Sequence, residues 1–178
     1  LQKRYDLIES AKLIGVSPVS ENEIWKTSNS VSTMKWRQYN VFQFHIPELH
    51  NLFRGIRALV IDACDYYDLD FNKQQYMVQG WFNINHSGNG KLDWHDHGPM
   101  GAPNFHGYYC VNAEPSSTWY KINGIDLFEN INKNNRAIVS ETGHPHGRDD
   151  WHNEIPRITI AYDICPKLNG VGPHWINL

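Results

Sequence analysis

The chain has 178 residues, a formal net charge of −3, 40% hydrophobic residues and three cysteines, enough length to bury a core without disulfide staples. The wide spacing of Cys64, Cys110 and Cys165 speaks against a disulfide framework and against a cysteine zinc site. The small negative charge, with no block of Lys or Arg, gives no general patch for nucleic acid. No run reaches the roughly 18 apolar residues of a membrane span, and the start from Leu1 to Asp6 lacks the apolar centre of a leader, so a cytoplasmic location is expected.

Before Pro47 the chain mixes short apolar stretches with turn formers such as Gly15-Val16-Ser17-Pro18, and a short helix over 7–14 followed by irregular or strand structure is expected. From Pro47 onward, Leu49, Leu52, Phe53, Ile56, Leu59, Val60 and Ala63 follow the three-and-four spacing of one helical face, with the proline suited to the first turn. After Asp68 the period shortens to that of strands. These are expected at 76–85, 105–112, 118–122, 136–140 and 155–164, separated by Gly, Pro and Asn clusters, with a turn at 86–90. A helix followed by many short strands describes a mainly β chain, an antiparallel sandwich or jelly roll carrying a helix on one outer face. One domain is expected, with helical and irregular support over 1–75, a jelly-roll core over 76–166 and a C-terminal tail over 167–178.

Seven of the ten histidines fall between His86 and His152. In Leu92-Asp93-Trp94-His95-Asp96-His97-Gly98, two imidazoles stand two residues apart, and on an extended strand they project from one face while Asp96 points away. Such a pair can chelate one ion, without naming which. A second stretch, running from Ala137 through Ser140, Thr142 and His144 to His146, ends a strand in a turn with two more histidines. Either His144 or His146 can complete a set of three if that strand returns beside the first. Arg157 follows His146 and shares a strand face with Thr159. A guanidinium fork beside a hydroxyl suits bidentate recognition of a carboxylate, whereas on a solvated face the two would have no such role.

Taken together, Trp81-Phe82-Asn83-Ile84-Asn85, His95-Asp96-His97, Gly107-Tyr108-Tyr109-Cys110-Val111 and the distal histidine followed by Arg157-Ile158-Thr159 resemble the small bacterial and phage 2-oxoglutarate/iron(II) oxygenases related to prolyl hydroxylases. The resemblance covers 78–166, half of the chain. It implies a double-stranded β-helix, His95 and His146 as iron ligands, and Arg157, with Thr159 and Tyr109 beside it, as the clamp on the far carboxylate of 2-oxoglutarate. It also implies Fe(2+) as cofactor, O2 as the second co-substrate and hydroxylation of a C–H bond in a small-molecule or peptide substrate.

The chain departs from the family pattern where His97 occupies the usual carboxylate position. Three arrangements are open: three histidines, two histidines with water, or a carboxylate from Asp93, Asp149 or Asp150. The set His95, His97 and His146 is favoured because His97 shares the strand face. Two other readings stand beside this one, a cupin-like three-histidine metalloenzyme that works without 2-oxoglutarate and a jelly-roll module that binds sugar or peptide. Among the remaining histidines, His106 reads as a buried structural residue and His152 as part of a solvated loop. Trp81, Phe82, Tyr108, Trp119 and Tyr120 read as core or pocket wall, with none assigned to substrate.

Overall fold

Pro47 opens the long helix α1 (Pro47–Tyr66), where its missing N–H costs nothing because the first turn has no carbonyl to receive it. In the computed structural model, which describes residues 30–35, 39–88, 92–98, 104–122, 125–167 and 172–178, Leu49, Ile56, Val60 and Cys64 of this helix are buried. Leu52, Phe53 and Ala63 pack at the edge of the same cluster, so the apolar face expected from the spacing is the face that docks. The helix stops where Asp68 takes a positive φ of 54°. A one-turn helix α2 (Phe71–Gln74) follows, and the Asp70 side chain caps it by accepting the Lys73 N–H at 3.0 Å. The helix expected over 7–14 lies outside the described residues.

Ten strands are formed by the described residues: β1 (Ser30–Ser32), β2 (Tyr76–Asn85), β3 (Leu92–His95), β4 (Phe105–Asn112), β5 (Ser117–Ile122), β6 (Asp126–Ile131), β7 (Ala137–Glu141), β8 (His146–Arg148), β9 (Arg157–Pro166) and β10 (Ile176–Asn177). One antiparallel sheet has the order β1-β2-β9-β4-β7, with β10 also paired to β2, and the other has the order β3-β8-β5-β6. Apart from the β5-β6 hairpin, the chain changes sheet at every step from β2 to β9. That winding is the double-stranded β-helix.

The long strands β2 and β9 pair from Tyr76↔Pro166 to Asn85↔Arg157 and are covered on both sides. Phe82, Ile84, Ile158, Ile160, Tyr162 and Ile164 join the cluster under α1, and the alternate residues turn to the space between the sheets. Burial on both faces explains why these strands read as nearly unbroken apolar runs. Gly107 on β4 permits the close packing beneath α1. A Cβ there would overlap the Ile138 carbonyl, which already accepts the Tyr162 hydroxyl at 2.7 Å.

The strands over 76–85 and 105–112 match their expected bounds, and β5, β7 and β9 lie within two residues of theirs. The expected list omitted β1, β3, β6, β8 and β10. β8 is three residues long, β3 is four, and β6 is an edge strand that exposes Leu127, Phe128 and Ile131, so none carries an inward apolar alternation. Of the segment expected as a tail, residues 172–178 pack on the first sheet: the His174 carbonyl accepts from Asn40 Nδ2 at 2.8 Å, and Ile176 pairs with Val78. No helix of the described residues is long and apolar enough to cross a membrane.

Candidate metal centre

β3 and β8 lie side by side with His95 opposite His146, and the next strand, β5, sets Tyr120 opposite His146. Gly147 allows this approach, because a Cβ at that position would stand 2.8 Å from the Leu92 carbonyl oxygen. β3 ends at His95, so His97 follows in a bend that Gly98 closes with a φ of 120°. Asp96 is exposed and turned away, its carboxylate accepting the Gly98 N–H at 3.1 Å. Even without a strand beneath it, His97 comes to the same side as His95. One ligand atom from each of His95, His97 and His146 lies within 4.8 Å of the others, a spacing that can hold a metal ion.

Hydrogen bonds orient two of these rings. His95 Nδ1 is 3.0 Å from the Asp93 carbonyl and His146 Nδ1 is 3.3 Å from the His144 carbonyl. A carbonyl only accepts, so each ring carries its proton on Nδ1 and leaves the Nε2 lone pair free. His97 Nδ1 stands 2.6 Å from Asp163 Oδ1, an ion-pair distance, although the ring N–H direction is off the line to that oxygen.

A fourth imidazole completes the wall. The His106 ring stacks nearly parallel to those of His97 and His146, with centroids 4.6 Å from each. Burial, and then the neighbouring histidines, push His106 down to about 2 and His146 down to about 3. Both rings are therefore neutral near pH 7, the form a metal requires. The Tyr120 ring stacks on His146 at 5.3 Å, and Tyr120 also lines a cavity of about 370 Å3 with Tyr67, Phe105, Phe128, Glu141 and His144.

The two candidates for the third histidine are separated by this geometry. His144 lies outside the cluster, its Nε2 3.4 Å from Glu141 Oε1. None of the alternative carboxylates joins the three histidines: Asp93, Asp149 and Asp150 are exposed, and Asp149 accepts from Trp119 Nε1 at 3.1 Å. Arg157 is buried between the sheets beside Thr159, with Nη1 3.5 Å from Thr159 Oγ1 and Nε 3.3 Å from Ser116 Oγ. It is not on a solvated face. Tyr109 is not brought to it: that side chain packs under α1 and donates its hydroxyl to Asn135 Oδ1 at 2.9 Å. Tyr108, its neighbour on the opposite face, is the tyrosine within electrostatic reach of Arg157.

Asp163 went unnoticed in the sequence. The signal was available, since Asp163 continues the alternation of Arg157 and Thr159 along β9, but only the register of β4, which sets His106 opposite Asp163, ties it to the histidines.

The sequence matches no protein-family model and no curated protein. Among solved structures, the chain is similar to an oxidoreductase of the 2OG-Fe(II) oxygenase family from Burkholderia pseudomallei, at 12% identity over 51% of this chain and 45% of that one, with a TM-score of 0.44. It is also similar to a cupin domain of an XRE family transcriptional regulator from Enterobacter cloacae, at 10% identity over 54% and 87%, with a TM-score of 0.33. A protein with a double-stranded β-helix domain from Klebsiella pneumoniae is similar at 16% identity over 57% and 74%, with a TM-score of 0.36. The chain thus spans less than half the length of the oxygenase-family protein.

Proposed function

We propose that this chain is an iron(II)- and 2-oxoglutarate-dependent oxygenase that hydroxylates a C–H bond, with His95, His97 and His146 holding the metal. The observation that carries the reading is the pairing of a three-histidine cluster with a buried guanidinium, Arg157, that has no carboxylate partner among the described residues. A lone metal site does not need such an arginine, whereas a co-substrate that chelates the metal at one end and carries a carboxylate at the other does. When bound, iron would supply the chemistry that side chains lack, with O2 as the oxidant and 2-oxoglutarate giving up two of the four electrons that O2 takes.

The protein's own part is orientation and exclusion of water. The Asp93 and His144 carbonyls fix the rings of His95 and His146. Arg157, with the Thr159 hydroxyl beside it, holds the far carboxylate. Buried His106 and Tyr120 form a wall that keeps bulk water from one side of the metal position.

One observation favours a second reading. All three histidines are neutral ligands, and an all-histidine set also suits a cupin-like metalloenzyme that uses no 2-oxoglutarate. Anaerobic titration of the iron(II) protein with 2-oxoglutarate separates the two readings. A visible charge-transfer band is expected, and in Arg157→Ala the affinity behind it should fall by about 2–5 kcal/mol, the cost of truncating one side of a buried charge pair. A wild-type protein that binds iron and gives no band would favour the cupin-like reading.

A further inference from the structure

Two buried arginines form no ion pair with a carboxylate among the described residues. Arg157 opens β9 and is 5% exposed; Arg148 follows His146 by two residues on β8 and is 7% exposed. That spacing puts Arg148 on the same strand face as His146, and its partner across β5 is the buried Thr118. One hydrogen-bonded group joins their surroundings: Arg157 Nε contacts Ser116 Oγ at 3.3 Å, Asn132 Nδ2 reaches both that oxygen at 2.9 Å and Thr118 Oγ1 at 3.3 Å, and Thr118 stands opposite Arg148. Burial, and then the charge of Arg157, push Arg148 down to about 10, and burial lowers Arg157 as well.

Their hydrogen bonds are few and neutral. Arg148 Nη1 donates to the Asp149 carbonyl at 2.8 Å, and Arg157 makes the two long contacts to Ser116 and Thr159 given above. Asp149 and Asp150 attract Arg148 from exposed positions, but the ion pairs made between described residues are those of His97 and His144. The polar groups on the Arg157 side are hydroxyls and amides that bond one another. Tyr108 donates its hydroxyl to Asn132 Oδ1 at 2.9 Å, Asn130 Nδ2 donates to that hydroxyl at 2.8 Å, and Asn132 Nδ2 donates to Ser116 Oγ at 2.9 Å. A buried guanidinium without an anion is unfavourable, and two that repel each other are more so. A bound anion would relieve both penalties.

We propose that Arg148 and Arg157 form one two-guanidinium pocket for the far carboxylate of a metal-chelating oxo acid, with Arg148 setting the preference for dicarboxylates over monocarboxylates. This assignment rests on the oxygenase reading for its ligand, although the pocket itself is argued from the unmatched charges.

The test uses wild type, Arg148→Gln and Arg148→Lys. In the metal-free protein, melting is followed with and without succinate. Arg148→Gln should melt higher than wild type without succinate, because the repulsion is gone, and should gain less from succinate, with Arg148→Lys intermediate. In the iron(II) protein under anaerobic conditions, the charge-transfer band is titrated with 2-oxoglutarate and with 2-oxopentanoate, which lacks the far carboxylate. Wild type should prefer 2-oxoglutarate by about a hundredfold or more, and Arg148→Gln should lose about tenfold or more for 2-oxoglutarate alone.

The proposal is overturned if Arg148→Gln melts lower than wild type without succinate, or if it binds both oxo acids as wild type does. If wild type gives no band with either oxo acid, the oxygenase reading fails and the succinate arm decides the pocket. A succinate-induced rise in wild type that Arg148→Gln loses keeps the pocket, and no rise in wild type removes it.

Discussion

If His95, His97 and His146 hold the metal as proposed, all three ligands are neutral imidazoles, and a divalent ion there would keep its full positive charge. Asp163, with Oδ1 2.6 Å from His97 Nδ1, stands where it would offset that charge through the ring. Asp163→Asn should therefore weaken metal binding by about 10–100-fold, the range for loss of a partner behind a ligating histidine. Unchanged affinity in a competition titration with a metal chelator would show that the contact is only structural. His97→Asp would set a second carboxylate against the first, so it should hold iron weakly alone and better in combination with Asp163→Asn. His95→Ala and His146→Ala should each lose stoichiometric metal while keeping the strand-rich circular dichroism, since a ligand is removed and not a core side chain. His144→Ala, which lies outside the cluster, should keep its metal, and elemental analysis reads all three.

At the scale of the elements, the site depends on how closely β3 and β8 approach. Gly147→Ala places a methyl 2.8 Å from the Leu92 carbonyl and must push the strands apart, although no ligand is touched. A loss of stability of about 1–3 kcal/mol is expected from such overpacking, together with weaker metal binding. Full metal affinity in a variant that folds normally would mean that the pairing of His95 with His146 is not what sets the spacing. The same strands show why the sequence was only partly legible. β2, β4 and α1 bury long apolar faces, so their periods stand out. β3 and β8 are short, and the two apolar residues of β3, Leu92 and Trp94, are exposed, so neither strand buries a run that would leave a hydrophobic pattern. His97 does come beside His95, but the alternation argument for that does not hold locally, because the backbone has left the strand at Asp96. That Arg157 and Thr159 share a strand face was legible from their spacing. Tyr109 was not separable from Tyr108, since which of two adjacent tyrosines faces inward depends on a register that only the pairing with β9 supplies.

At the scale of the whole molecule, the candidate centre ties the two sheets together: His95 and His146 belong to the second sheet, whereas Asp163 and His106 belong to the first. A metal gathered there would bind the folded chain alone, because the unfolded chain does not hold His95, His97 and His146 within 4.8 Å of one another. Binding to the folded state alone stabilises it by about 2.7 kcal/mol when free metal is a hundred times its dissociation constant. For a domain of this size that corresponds to a rise in melting temperature of about 5–10 °C. Differential scanning calorimetry with cobalt(II), which spares the protein from iron oxidation, should show this rise in wild type and in His144→Ala, and EDTA should abolish it. His146→Ala should melt at one temperature with or without the ion. A wild-type melting temperature indifferent to cobalt(II) and to EDTA would show that the three histidines do not bind a metal in the folded protein, and with it the basis for a metal-dependent oxygenase would be lost.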